Sequence, residues 1–141
     1  MDQHINLVKL GVGADTIADL EAWQAQRLRR GEDLTHVTRM WPKRADELTA
    51  GGSLYWVIKG SVLCRQRILR LDEAMGHDGI RRCAIVLDHD IIRTAPAPRR
   101  PFQGWRYLTQ ADAPPDLSAK AQREEPLPAE LERALSEIVL V

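Results

Sequence analysis

The stretch SLYWVIKGSVLCRQRILRL, residues 53–71, decides the fold of this 141-residue chain. Residues 53–59 are almost continuously apolar, which is typical of a buried strand. Gly60 and Ser61 then permit a tight turn into a second apolar segment, residues 62–71, so the stretch predicts a β-hairpin. The alternation of the second arm slips between Gln66 and Leu69, which indicates a bulge.

Further strands and helices are predicted on both sides of the hairpin. Asp15 or Thr16 can cap a helix, and Asp19 is placed to complete a capping box with Thr16, so we expect a helix to about Arg30. Pro42 fits the first turn of a short helix that reaches residue 48. The prolines of residues 95–101 exclude a helix or a central strand there. The other predicted strands are residues 4–10, 35–41, 83–87, 91–94 and 102–108.

The chain length predicts a single domain over residues 1–141. Residues 109–126 have the composition of a surface linker to a C-terminal amphipathic helix, which we expect to pack through Leu131, Leu135 and Ile138. No apolar run approaches the roughly 18 residues that cross a bilayer, and the first residues do not form a signal peptide. The expected location is therefore the cytoplasm, with no membrane contact, and the sequence indicates no oligomeric state.

Cysteine and histidine give no convincing cofactor site. Cys64 and Cys83 lack the spacing of a zinc or redox motif, so we expect two small buried side chains. Histidine and carboxylate cluster in Asp88-His89-Asp90 and in His77-Asp78, but both groups flank strand-like segments where turns are the better interpretation. We expect no metal and no cofactor.

Positive charge is concentrated in the middle of the chain, although the net formal charge is zero. Residues 39–110 carry thirteen basic and seven acidic side chains, and both flanking segments are acidic. Sixteen of the twenty basic residues are Arg, which suits bidentate contact with phosphate. The alternative is that these arginines are ordinary solvated cations.

Aromatic residues share this basic middle, because every aromatic residue except Trp23 lies between positions 41 and 107. Arg interleaved with aromatic rings is what single-stranded nucleic acid requires, since the rings stack on bases while the cations neutralise phosphates. The alternative is that the rings fill the core, which we favour for Trp56 and leave open for Trp41 and Trp105. The candidate ligand-binding residues are Arg39, Trp41, Lys43, Arg44, Lys59, Arg65, Arg99, Arg100, Trp105 and Arg106.

Two stretches carry a resemblance that covers nearly the whole chain. HVTRMWPKRADELTAGGSLYWVIKGSVLCRQRILRL (residues 36–71) and RRPFQGWRYL (residues 99–108) resemble a family of short bacterial proteins defined only as a domain of unknown function. This resemblance implies no activity.

The order of the elements also resembles the PUA-like barrels, including their ASCH and EVE branches. The resemblance implies an α+β domain built on a small, mostly antiparallel β-barrel or bent sheet, with helices from both termini on its flanks. In those barrels a cleft beside the short helix binds RNA or a modified base. Arg39, Lys43, Arg44, Lys59 and Arg65 would line the equivalent cleft here.

The leading functional hypothesis is therefore a module that binds nucleic acid, RNA in particular, or a nucleotide. Because ASCH proteins are similar to small amidohydrolases, a hydrolase acting on a nucleoside-like substrate is the alternative, and whether the protein is an enzyme stays open. Lys59, Thr38 and Glu47 or Asp46 would supply its reactive groups. A third hypothesis is an interaction domain that docks its acidic C-terminal helix on a partner. The RNA hypothesis requires the segments around Arg39–Arg44 and Arg99–Arg106 to be neighbours and their arginines to share one surface.

Overall fold

The computed structural model describes residues 4–123, which form seven strands and three helices. This content confirms the α+β class. The strands are β1 (Asn6–Leu10), β2 (Thr35–Thr38), β3 (Ser53–Ile58), β4 (Ser61–Met75), β5 (Arg81–Leu87), β6 (Ile92–Pro98) and β7 (Trp105–Leu108). The helices are α1 (Ile17–Arg29), α2 (Ala45–Thr49) and α3 (Ala119–Arg123).

All seven strands belong to one mixed sheet in the order β2-β5-β4-β3-β1-β7, with β6 paired to β4 outside this path. Of the strand pairs in residues 4–123, β1 with β3 is parallel and the others are antiparallel. The long strand β4 is the centre of the sheet. It pairs with β3 and β6 over its first half and with β5 over its second half.

The sheet is strongly bent but does not close into a barrel. His36 of β2 touches Trp56 of β3, with ring centroids 5.7 Å apart, although β5 and β4 lie between these strands in the sheet. The predicted barrel is wrong, and the bent sheet is what forms. The two terminal strands of the path, β2 and β7, are only four residues long and do not pair with each other in the described part of the chain.

The hairpin that the sequence predicts is present, with its turn one residue earlier than expected. Lys59 and Gly60 have φ angles of +53° and +85°, as a two-residue hairpin turn requires. The register of β4 against β5 shifts between Ile68 and Arg70, which confirms the bulge. Gly52 comes so close to the backbone oxygen of Ile5 that no side chain fits there.

The two faces of the sheet bury separate cores because side chains alternate along each strand. On the face that we call the inner face, Leu54, Trp56 and Ile58 pack with residues of α1. On the outer face, Tyr55 and Val57 pack in a second, smaller cluster. The N-cap of α1 is Thr16, and its capping box with Asp19 forms as predicted.

Residues 109–123 lie on the surface, where they are fastened to β6. The backbone N–H of Ala95 donates to the oxygen of Pro115 over 2.8 Å, and that of Leu117 donates to the oxygen of Arg93 over 2.9 Å. The predicted C-terminal helix with Leu131, Leu135 and Ile138 lies outside the described residues. In residues 4–123, no helix has the length and apolar character that crossing a membrane requires.

Candidate functional site

The two segments that the RNA hypothesis needs as neighbours do meet. The indole nitrogen of Trp105 donates to the backbone oxygen of Met40 over 3.2 Å. The backbone N–H of Arg44 donates to the hydroxyl of Tyr107 over 3.1 Å, and its guanidinium lies 5.6 Å from the centre of that ring. The loop after β2 and strand β7 are therefore in contact, as the sequence predicted.

The arginines of these segments nevertheless point to different faces. Trp105 and Tyr107 pack against the inner core, so Arg106 between them faces the outer side of the sheet. There Arg99 and Arg106 lie 5.6 Å and 5.4 Å from the centre of the Phe102 ring. Arg106 therefore lies on the opposite side of the sheet from Tyr107, the ring beside Arg44, because adjacent residues of a strand point in opposite directions.

Several of the predicted cations are already paired with carboxylates. Arg44 binds Glu47 at 2.6 Å, Arg65 binds Asp116 at 2.7 Å, and Lys59 binds Asp15 at 3.1 Å. Lys59 and Glu47, which the hydrolase hypothesis groups together, thus have separate partners in the structure. Arg39, Lys43 and Arg100 are exposed and make no hydrogen bond or ion pair with residues 4–123.

Trp41 is partly buried, and a guanidinium covers one face of its ring. Arg81 stacks 4.3 Å from the ring centre, and the rest of the side chain packs against the inner core. A nucleobase would have to displace Arg81 or use the ring edge. Stacking of a base on Trp41 thus stays a prediction, and the base would compete with Arg81 for the ring.

A pocket of about 260 Å³ lies elsewhere, between α1 and the inner face of the bent sheet. Helix α1 contributes Leu20, Trp23, Gln24 and Arg27, which share one helix face at the i, i+3, i+4, i+7 spacing. The sheet contributes the end of β1 and the start of β2, which its curvature brings together. The polar and aromatic lining consists of Lys9, Trp23, Gln24, Arg27, Thr35, His36 and Trp56.

The pocket is cationic, because no Asp or Glu is among the described residues that line it. Burial lowers the pKa of Lys9. Burial, followed by repulsion from Lys9 and Arg27, lowers the pKa of His36 to about 4, so its imidazole is neutral at pH 7. Arg27 donates to the backbone oxygen of Thr35 over 2.7 Å. An anion placed here would compensate the charges of Lys9 and Arg27.

A buried glutamine positions two of the lining residues. Gln66 accepts hydrogen bonds from the Trp56 indole at 2.9 Å and from the Gln24 amide at 2.8 Å. Its own amide nitrogen donates to Gln24 at 2.7 Å and to the backbone oxygen of Asp88 at 3.0 Å. Every hydrogen-bonding group of a fully buried side chain is thus used, which fixes the orientation of the Trp56 ring.

Sequence reasoning missed this pocket, although two of its signals are visible. Lys9 interrupts the apolar residues Leu7, Val8 and Leu10 of the first strand, and Arg27 lies on the helix face that carries Leu20. Trp56 was correctly expected to be buried. That it also lines the pocket depends on the bend of the sheet. That bend follows from tertiary packing rather than from any local pattern.

The cysteines and the Asp88-His89-Asp90 cluster, for which the sequence predicts no cofactor role, lie at the following positions. Cys64 and Cys83 are both buried, and burial raises the pKa of Cys83 to about 11. Asp88, His89 and Asp90 bring ligand atoms within 4.8 Å of one another, but His89 and Asp90 are exposed and Asp88 accepts from the backbone N–H of Asp90. The latter contact is that of a turn, as predicted.

A family model described as a protein of unknown function, DUF1489, matches residues 7–141. The chain belongs to this family. This confirms the family resemblance drawn from residues 36–71 and 99–108. No curated protein and no solved structure matches the chain. The description of DUF1489 names no activity.

Proposed function

We propose that the protein binds a small anionic ligand with a planar ring, a mononucleotide being the best-fitting class, in the pocket between α1 and the inner face. One observation carries the proposal. Lys9 and Arg27 line the same pocket as aromatic rings, and the described lining of that pocket contains no acidic residue. The sequence analysis offered RNA or a nucleotide as the ligand. The proposal keeps the nucleotide but places it in a pocket lined by other residues than those predicted.

Each part of a nucleotide has a counterpart in the lining. The phosphate would lie against Lys9 and Arg27, whose charges it compensates. The base would lie against Trp23 and Trp56, in the apolar part of the pocket. His36, neutral at pH 7, is free to accept or donate one hydrogen bond to the ligand.

Pocket size favours a mononucleotide over a strand of RNA. A volume of about 260 Å³ falls just below the roughly 300–1,000 Å³ of pockets that bury drug-sized ligands. A strand would instead need a continuous basic groove, and the predicted Arg and Trp residues lie on two faces of the sheet with several cations already paired. RNA binding by that surface is the alternative that the experiment below includes.

Calorimetric titration with the four nucleoside 5′-monophosphates tests the proposal. We expect at least one to bind, and adenosine without phosphate to bind more weakly than adenosine monophosphate. Because each substitution removes a charged hydrogen-bond donor, Lys9→Met and Arg27→Met should each weaken binding about tenfold or more. Lys43→Met and Arg29→Met are the matched controls, since neither residue lines the pocket.

Two results would overturn the proposal. One is the absence of binding by all four monophosphates at millimolar concentration. The other is an affinity that Lys9→Met and Arg27→Met leave unchanged. A parallel titration with mixed-sequence single-stranded RNA tests the alternative, because RNA held by the exposed cations predicted from the sequence would respond to Arg39→Gln and Arg100→Gln and not to Lys9→Met.

A further inference from the structure

The outer face of the sheet carries a buried side-chain amide, that of Asn6, which uses only part of its hydrogen-bonding capacity within the described part of the chain. Asn6 is 2% exposed, and its side-chain oxygen accepts from the backbone N–H of Ser53 over 2.9 Å. This bond fixes the orientation of the amide, so Nδ2 must point the other way. That nitrogen is buried and has no hydrogen-bond acceptor among residues 4–123. A buried donor without an acceptor is unusual and calls for an explanation.

Asn6 lines an open pocket of about 330 Å³ on this face. Tyr55 and Arg65 line the same pocket, together with Ala113, Pro114, Pro115 and Asp116 from the segment fastened to β6. Tyr55 is 6% exposed, and its hydroxyl makes no hydrogen bond with the residues that the structure describes. Asn6 Nδ2 and the Tyr55 hydroxyl are thus two donors at this pocket that lack an acceptor among residues 4–123.

The charges of this pocket favour a neutral ligand. Arg65 donates to both carboxylate oxygens of Asp116, over 2.8 Å and 2.7 Å, and a third nitrogen donates to Ser53 Oγ over 2.9 Å. The positive charge of Arg65 is therefore compensated by the negative charge of Asp116. An anion would have to compete with Asp116 for Arg65, whereas Asp116, exposed at 41% of its side chain, still offers lone pairs to a donor.

We propose that this pocket binds a small ligand through a carboxamide group. The carbonyl oxygen of the ligand would accept from Asn6 Nδ2 and the Tyr55 hydroxyl. Its NH₂ group would donate to Asp116, and its apolar part would lie against Pro114 and Pro115. The site is independent of the proposed nucleotide pocket, because the two lie on opposite faces of the sheet.

Benzamide and benzoate form a matched pair of probes, since they have nearly the same shape and differ in charge and in the donor group. The readout is the ¹H–¹⁵N spectrum of the full chain, in which the Asn6 side-chain NH₂ gives its own signals. We expect benzamide to shift these signals with a Kd on the order of 1 mM, as suits a ligand of this size. Benzoate should bind at least about fivefold more weakly.

Variants then separate recognition from folding. Asn6→Ala removes the acceptor of the Ser53 N–H, so Tyr55→Phe, which keeps the ring, is the first choice and should weaken benzamide binding about fivefold. Tyr107→Phe on the inner face is the control and should leave the affinity unchanged. The proposal is overturned if benzamide leaves the Asn6 signals in place, if benzoate binds as tightly as benzamide, or if Tyr55→Phe and Tyr107→Phe behave alike.

Discussion

The imidazole of His36 meets the indole of Trp56 edge-on, with the ring planes at 88°. Burial in this contact, and repulsion from Lys9 and Arg27, lower the pKa of His36 to about 4. The folded protein thus holds a neutral histidine that the unfolded chain protonates below about pH 6.5.

Stability should therefore fall in acid. Because the unfolded state binds the extra proton, the contribution of His36 is complete above pH 6.5 and disappears as the pH falls to 4. We expect a loss of about 3 kcal/mol in the free energy of unfolding from this group. Urea titrations at several pH values measure it. His36→Gln should flatten the curve in this window, and an unchanged curve would contradict the assignment.

Removing the Gln66 side chain should be costly. Gln66→Leu leaves the Trp56 N–H and the Asp88 carbonyl without their partner in a fully buried position. We expect the free energy of unfolding to drop by about 3 kcal/mol, since each stranded group costs about 1–3 kcal/mol. Chemical denaturation checks this, with Gln26→Leu on the exposed side of α1 as the control. A loss no larger than that of the control would show that the network does not stabilise the fold.

Breaking the Arg65–Asp116 pair should loosen one segment rather than the whole domain. Asp116→Asn removes a partly exposed ion pair, so the global free energy of unfolding should change by less than about 1 kcal/mol. Hydrogen exchange at the Ala95 and Leu117 amides should accelerate, because both fasten this segment to β6. Asp112→Asn serves as the control. Equal exchange in wild type and Asp116→Asn would mean that the backbone bonds hold the segment without the ion pair.

Trp105 should matter more for folding than for binding. Its ring packs edge-on against Tyr107 at 4.9 Å and its nitrogen donates to Met40, so Trp105→Ala should destabilise the domain by about 2 kcal/mol. Trp105→Phe, which keeps an aromatic ring, should lose less. Thermal denaturation compares them. If instead Trp105→Ala leaves stability intact and weakens binding of single-stranded RNA, the stacking role predicted from the sequence would be supported.

Local patterns predicted the elements of this fold well. The Thr16–Asp19 capping box, the bulge after Ile68 and the burial of both cysteines follow from short-range chemistry, and each is present. The contact between the loop after β2 and β7 was also predicted, because both segments join turns to aromatic residues.

The candidate site was harder to predict. It depends on which face of the sheet each strand residue points to and on how strongly the sheet bends. Trp105 and Arg106 are neighbours in sequence, yet as strand residues they lie on opposite faces. Lys9, Arg27 and His36 come together only because α1 covers a sheet that bends. The carboxylate partner of Arg65 could not be predicted from the sequence either, because no local pattern pairs Arg65 with a carboxylate 51 residues away.

Strand β1 lies between β3 and β7 in the finished sheet, although residues 6–10 leave the ribosome long before residues 105–108. Roughly a hundred residues separate β1 from its second partner, and ribosomes add about 5–20 residues per second. For about 5–20 s of each synthesis cycle, an apolar strand therefore exposes an unpaired edge to other nascent chains. Protein synthesis, rather than the folded state, is the period in which β1 is most open to mispairing.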